Sequence, residues 1–105
     1  MKRMALCFLL AACSPARAAC EIPQDFWDWP RSADSVLNIK AIRPCMADFV
    51  ANPKSVLVIR HGHDEESVLH YDELKEWLVS LSVSPARIRD AATDQNSISI
   101  EAMNP

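Results

Sequence analysis

The chain has 105 residues, of which 50% are hydrophobic and 24% are charged, and its formal net charge is −3. This length predicts one domain, near the lower size at which a hydrophobic core is sufficient without cross-links. The acidic balance, with no basic stripe, argues against nucleic acid as a partner.

The N-terminal residues have the composition of a targeting signal. A basic start is followed by an apolar run, Met4 to Ala12, that is too short to cross a bilayer. Two cleavage sites compete in this segment. Leu10-Ala11-Ala12-Cys13 has the form of a lipobox, in which Cys13 is acylated and becomes the new N-terminus. Ala16-Arg17-Ala18 is an A-x-A site that would release a soluble chain.

We therefore expect residues 1–18 to be a signal peptide, cut before Cys13 in a lipoprotein or after Ala18 otherwise. Residues 20–105 are expected to form one domain. The protein is then exported, either to the periplasmic face of the outer membrane through a lipid anchor on Cys13 or to the soluble periplasm.

Both cleavage sites leave Cys20 and Cys45 as the pair available for structure, because Cys7 is removed in either case. An even pair in an exported protein predicts a disulfide, worth roughly 3 kcal/mol for a loop of about 25 residues. The alternative is two separate buried thiols. No C-x-x-C spacing is present, which argues against a metal role for these cysteines.

The first half of the domain predicts a strand and then a helix. Cys20 to Trp29 is interpreted as an edge strand, because Pro23 cannot donate a hydrogen bond to a ladder. Trp27 and Trp29 are either core cover or an exposed patch that binds sugar or a partner. Apolar residues then recur at helical spacing from Asp34 towards Ala51, where Pro44 either kinks the helix or restarts it. A rival interpretation makes Val36 to Ile42 a strand.

The second half contains the clearest periodicities. Val56 to Ile59 predicts a strand buried on both faces, followed by a polar turn from Arg60 to Glu65 in which Gly62 is expected to specify the backbone conformation. A helical stripe follows the turn, and Ser97 to Met103 alternates as a last strand. The order β-α-β-α-β predicts an α/β fold: a small two-layer sandwich with helices on one face of a mixed sheet. The residues of the stripe are Tyr71, Leu74, Trp77, Leu78 and Leu81.

The polar turn suggests two kinds of chemistry. Arg60-His61-Gly62 has the form of a histidine-phosphatase motif, but that reaction needs a second histidine and further arginines, and only His70 follows at a distance. A truncated protein of that type is the weaker alternative, and we expect no enzyme and no cofactor. A small periplasmic metal-binding protein is the other alternative, since His61 and His63 point to one side of an extended strand end, near Asp64 and Glu65.

Several short motifs between residues 34 and 103 occur in the order typical of one family. They are Ala51-Asn52-Pro53, the Gly62-His63 turn, Leu78-Val79-Ser80, Ala86-Arg87-Ile88 and the final alternating strand. In these pieces the chain resembles the OmpA-like C-terminal domain. The resemblance implies an exported, non-catalytic module of the cell envelope that binds peptidoglycan or an envelope protein assembly such as a secretion apparatus.

In that family an aspartate of the turn and an arginine on the next helix clamp the diaminopimelate of the peptidoglycan stem peptide. The aspartate position falls on Glu65, or on Asp64 if the turn is one residue shorter, and the arginine position falls on His70. The segment between turn and helix is shorter here, and the family's glycine-rich stretch after the helix is missing. The resemblance thus implies that Asp64 and Glu65 receive an ammonium group and that His63 and His70 contact a carboxylate.

Overall fold

A computed structural model describes residues 19–105 of the chain. The predicted signal, its two cleavage sites and the lipidation site Cys13 lie outside the described residues. The described elements follow in chain order: β1 (Cys20–Glu21), a first 3₁₀ helix (Gln24–Asp28), α1 (Ala33–Leu37), a second 3₁₀ helix (Lys40–Ile42), α2 (Arg43–Ala51), β2 (Val56–His61), α3 (Glu65–Ser80), a third 3₁₀ helix (Pro85–Arg87), β3 (Ile88–Ala92) and β4 (Ser99–Met103).

The four strands form one mixed sheet in the order β1-β4-β2-β3. β2 runs parallel to β3 and antiparallel to β4, and β1 pairs antiparallel with β4. Leu57, Ile59 and Ile100 are fully buried, whereas Arg60 and Glu101 on the opposite side are partly exposed. This alternation shows that one face of the sheet is covered and confirms the predicted α/β class with two layers.

The core lies between the covered sheet face and the helices. Its fully buried side chains are Ile22, Leu57, Ile59, Leu74, Ile98 and Ile100. The disulfide between Cys20 and Cys45 is confirmed, and it joins the edge strand β1 to α2. Within residues 19–105 no helix has the length and apolarity needed to cross a membrane.

The predicted first strand was wrong beyond its first residues. Only Cys20–Glu21 is a strand, although the amide of Ile22 still donates to the Ile98 carbonyl at 2.9 Å. Pro23 then stands at the N-cap of the first 3₁₀ helix, which turns Trp27 inward. A proline ends the ladder because it lacks the N–H that the next pairing would require.

The helix predicted between residues 34 and 51 is divided in two. α1 begins at a capping box formed by Ser32 and Ser35 and ends after one and a half turns. Pro44 lies in the first turn of α2, where a backbone N–H would have no intrahelical acceptor. The proline therefore breaks no hydrogen bond there, and the helix restarts at this point. The rival strand from Val36 to Ile42 is not formed, because helical turns occupy most of that range.

The polar turn is shorter than predicted. Arg60 and His61 belong to β2, and Asp64 caps α3, which begins at Glu65, well before the apolar stripe. The segment after Pro85 contains β3, a strand that the sequence interpretation did not include, and β4 begins at Ser99 rather than at Ser97. β3 is short and mostly exposed, so its sequence has no alternation to reveal it.

The end of α3 carries the described non-glycine residue with positive φ. Ser82 has a φ of 86°, and its amide donates to Val79, while the Val83 amide donates to Leu78. These two bonds form a Schellman motif, in which glycine is the usual residue at the left-handed position. Ser82 thus fills the place of the glycine that is missing after this helix.

Candidate functional site

His61 is buried at the end of β2, and both of its ring nitrogens have partners. Nδ1 lies 2.9 Å from the Gly62 carbonyl oxygen, and Nε2 lies 3.1 Å from Oδ2 of Asp90 on the neighbouring strand β3. The ring also stacks on Tyr71 of α3, with 4.8 Å between centroids. His61 is 7% exposed, and it offers no free nitrogen to a substrate.

Both partners of His61 are hydrogen-bond acceptors, so the doubly protonated ring satisfies both contacts at once. Burial opposes the charged form and is the largest single effect. The hydrogen bonds from Asp90 and from the Gly62 carbonyl, with the charges of Asp90 and Asp72, outweigh it and raise the pKa of His61 above its ordinary value. His61 therefore ties β2 to β3 through its contact with Asp90.

Gly62 is required by space and not by backbone conformation, because its φ is not positive. A Cβ built on Gly62 would lie 2.7 Å from the Gln95 carbonyl oxygen, 2.9 Å from Oδ1 of Asp64 and 3.0 Å from Oγ of Ser67. The loop between β3 and β4 thus lies directly against the turn. The expectation that Gly62 specifies a special turn conformation was wrong, and close approach of two backbones replaces it.

The three predicted residues after Gly62 lie in different surroundings. The His63 side chain is 69% exposed, and its Nε2 is 4.0 Å from Oδ1 of Asp94 in the β3–β4 loop. Asp64 is the N-cap of α3: Oδ1 accepts from the Ser67 hydroxyl at 2.7 Å and Oδ2 accepts from the Ser67 amide at 3.2 Å. Glu65 lies exposed in the first turn of α3.

Asp64 is held in its ionised form. The hydrogen bonds from the side chain and amide of Ser67 lower its pKa most, and the charge of His70 lowers the pKa further. Asp64 and His70 are therefore close enough to interact electrostatically. Among the described residues no hydrogen bond or ion pair joins Asp64 to His70, and Nε2 of His63 lies 4.0 Å from Asp94 of the β3–β4 loop.

His70 is a half-buried imidazole on α3. It lies flat on the Trp27 ring, with 4.1 Å between centroids and 3° between planes. Within residues 19–105 its ring nitrogens have no hydrogen-bond partner. Trp27 itself is 8% exposed and also contacts Phe26 edge-on at 4.9 Å.

Arg31 fastens the Trp27 segment to α3. Its Nε and Nη2 donate to the two carboxylate oxygens of Glu73 at 2.6 and 2.8 Å, a forked ion pair. Nη1 donates to the Trp27 carbonyl at 2.9 Å, and the indole of Trp77 donates to Glu73 at 3.1 Å. The bond from Arg31 is the main cause that lowers the pKa of Glu73.

Helical spacing adds one residue that the sequence interpretation missed. Glu66 precedes His70 by four positions, so the two side chains share a face of α3, whereas Glu65 is turned away from it. We call Trp27, Asp64, Glu66 and His70 the His70 site. The i, i+4 spacing could have identified Glu66, but no local signal joins Trp27 to a histidine 43 positions away.

The described residues contain no group of three or more His, Cys, Asp or Glu side chains placed to hold a metal ion. The His70 site consists of the imidazole of His70, the carboxylates of Asp64 and Glu66, and the indole of Trp27. Comparison of the chain with protein-family models, with curated proteins and with solved structures found no match.

Proposed function

We propose that this chain is an exported, non-catalytic binding module of the cell envelope, and that the His70 site binds a peptidoglycan stem peptide. The observation that carries the proposal is the pair formed by Asp64 and His70. Asp64 is an exposed carboxylate whose pKa is lowered in part by the charge of His70, and the described residues give the two nitrogens of His70 no hydrogen bond. Such a pair matches the ammonium and carboxylate of a zwitterionic amino acid.

Asp64 supplies the anionic half of the site. Its two hydrogen bonds to Ser67 leave further lone pairs on both carboxylate oxygens, which accept bonds from a ligand ammonium group. The same bonds restrain the carboxylate at the start of α3. Glu66, one turn before His70 on the same face, adds a second negative charge beside the ligand.

His70 supplies the hydrogen-bond donor for the ligand carboxylate. The flat contact with Trp27 fixes the plane of the ring, so its nitrogens approach a carboxylate without losing rotamer freedom on binding. The OmpA-like resemblance has an arginine at this position. A single imidazole donates fewer bonds than a guanidinium fork, so the site is a weaker version of that clamp.

The proposal includes export of the chain. The Cys20–Cys45 disulfide is compatible with an oxidising compartment, and we propose the periplasm as the location, with acylation of Cys13 as the anchor. Intact-mass analysis of the protein purified from its host tests this part. A diacylglyceryl or triacyl mass on a chain that begins at Cys13 supports an anchor, and an unmodified chain that begins at Ala19 contradicts it.

Retention on purified peptidoglycan sacculi tests the ligand. Asp64→Asn keeps an N-cap acceptor but removes the charge, so the fold is retained while binding falls roughly tenfold or more. His70→Gln is expected to weaken binding as well, and His70→Arg to strengthen it because a guanidinium forms a forked pair. Asp94→Asn, at an exposed carboxylate beside His63, is the matched control. Equal retention of Asp64→Asn and the parent chain would contradict the proposal.

A further inference from the structure

The short strand β1 covers only part of the edge of β4. It pairs with Ser99 and Ile100, whereas β4 continues beyond them. In the described part of the chain no strand pairs with the rest of β4 on the side away from β2. Ala19 precedes β1 without joining it, so the ladder stops at Cys20. The last part of β4, Glu101 to Met103, is therefore an open edge of the sheet, which we call the β4 edge.

Ala102 presents its backbone polar groups to the β4 edge. The Ile22 amide donates to the Ile98 carbonyl, so every second residue from Ile98 onwards faces the side of β1. Ala102 belongs to this set, and the described residues supply neither its N–H nor its C=O with a hydrogen-bond partner. Ala102 is only 8% exposed, and an unpaired donor and acceptor in a buried residue are costly. These groups therefore favour a partner that supplies one acceptor and one donor.

A cavity of about 630 Å³ adjoins the β4 edge. Its volume lies in the range of about 300–1,000 Å³ that is typical of ligand pockets. Glu101 and Ala102 point to opposite faces of the sheet, so a cavity lined by both residues lies at the edge itself. The unpaired groups of Ala102 thus have space for an additional strand. The cavity is lined by β4 and the ends of α2 and its loop, with the residues Asp48, Ala51, Asn52, Ser55, Glu101, Ala102, Met103 and Asn104.

We propose that the β4 edge binds an extended peptide segment of a partner protein, which adds a strand to the sheet next to β1. In strand addition the main chain of the peptide supplies the donor and the acceptor that Ala102 lacks. The lining contains the carboxylates of Asp48 and Glu101 and no basic side chain, which favours a peptide with a basic residue. Glu101 accepts from Arg60 through Oε1, and no described residue donates to its Oε2. The lining includes no residue of the His70 site, so this interaction does not depend on peptidoglycan binding.

Amide hydrogen exchange, followed by NMR on the disulfide-bonded chain, tests the β4 edge directly. The Ala102 amide should exchange about tenfold faster or more than the amide of Glu101, which faces β2 and has a partner there. The probe is the peptide acetyl-Thr-Lys-Val-Lys-Thr-amide, and at saturation it should slow exchange of the Ala102 amide about tenfold. The same peptide with an N-methylated valine lacks the donor and should bind about tenfold more weakly.

Ala102→Pro removes the unpaired donor at a position where an edge strand tolerates proline. It should weaken binding of the peptide about tenfold. Ala92→Pro, at the other edge of the sheet, is the matched control and should bind the peptide as the parent chain does. The Thr93 amide donates to the His61 carbonyl, so the N–H of Ala92 also faces away from β2. If Ala102→Pro does not fold, the N-methylated peptide provides the test.

Equal binding of the two peptides, binding of neither, or full binding by Ala102→Pro would overturn the proposal. Slow exchange of the Ala102 amide without peptide would show that the β4 edge is already covered. Sedimentation equilibrium would then assign the cover to a second copy if the chain is dimeric, or to the residues before Cys20 if it is monomeric. Either result would overturn a partner peptide as the occupant.

Discussion

His61 and His70 are both stacked on an aromatic ring, but they differ in whether their ring nitrogens have hydrogen-bond partners. His61 lies against Tyr71 and has an acceptor at each ring nitrogen, whereas His70 lies against Trp27 and has neither nitrogen occupied by the described residues. The first histidine holds the sheet together, and the second is available to a ligand. A histidine's role thus depends on the partners of its nitrogens more than on the motif that surrounds it.

The difference follows from the elements that carry the two residues. His61 shares the covered face of β2 with Leu57 and Ile59, so it faces the core and the neighbouring strand. His70 lies on the side of α3 that meets the first 3₁₀ helix, where Trp27 stacks on its ring.

Gly62→Ala should have the largest effect on stability, because it disturbs the packed end of β2. The new methyl group would meet the Gln95 carbonyl, which is backbone and has little freedom to retreat. We expect the free energy of unfolding in urea to fall by about 1–3 kcal/mol. Asp94→Ala in the same loop is the control and should change it little. A Gly62→Ala protein as stable as the parent would show that the loop does not lie against the turn.

Alanine substitution of each histidine tests the difference between their roles. His61→Ala should lower the free energy of unfolding by about 2 kcal/mol, since two buried hydrogen bonds and a ring contact are lost. His70→Ala should lower it by at most about 1 kcal/mol, the value of the ring contact, but should weaken retention on sacculi. Chemical denaturation and the sacculus assay, applied to both proteins, measure the two effects. The reverse pattern would exchange the roles assigned to the two histidines.

Glu73→Gln should loosen the layer that holds Trp27 against His70. The forked ion pair with Arg31 is partly exposed, so its loss is expected to cost no more than about 1 kcal/mol of unfolding free energy. The clearer result should be a change in the NMR chemical shifts of the His70 ring as Trp27 moves. Glu76→Gln, at an exposed carboxylate on the same helix, should leave those shifts unchanged.

The smallest expected effect is the pH dependence that His61 contributes to stability. Its pKa in the folded chain is raised above the ordinary value of 6.5, so the folded state binds the proton more tightly than the unfolded state. The contribution is complete below the unfolded pKa and is lost as pH rises through the folded pKa. Unfolding free energy should therefore fall as pH rises above about 6.5, and less so in Asp90→Asn. An identical slope in both proteins would contradict the pairing.

Local periodicity was sufficient for the main elements of the fold. The unbroken run Val56 to Ile59 predicts a strand, and the stripe from Tyr71 to Leu81 predicts the amphipathic helix, because residue spacing indicates which face an element buries. The prediction that this strand is buried on both faces was wrong, because Val58 and Arg60 are only partly buried. The pairing of Cys20 with Cys45 followed from counting the cysteines that would remain after cleavage of the predicted signal. For β3 the signal failed, because a short edge strand with exposed residues has no alternation.

Sequence reasoning could identify only some of the residues of the candidate site. The OmpA-like resemblance pointed to Asp64 and His70, and helix spacing could have added Glu66, since those relations lie within one turn and one helix. The contacts of Arg31 with Glu73 and of Trp27 with His70 join residues more than forty positions apart. Such contacts depend on how the first 3₁₀ helix crosses α3, and no local pattern encodes that crossing.

For this protein, residue spacing alone determined where apolar faces lie, because strand and helix periods are local properties of the backbone. Tertiary packing decided which polar groups have hydrogen-bond partners within the protein. It placed Asp90 beside His61 through the parallel pairing of β2 with β3, and it left the nitrogens of His70 without a partner among the described residues. Whether a histidine is structural or available for binding depends on the acceptors that distant segments bring to it, and only the folded chain brings them together.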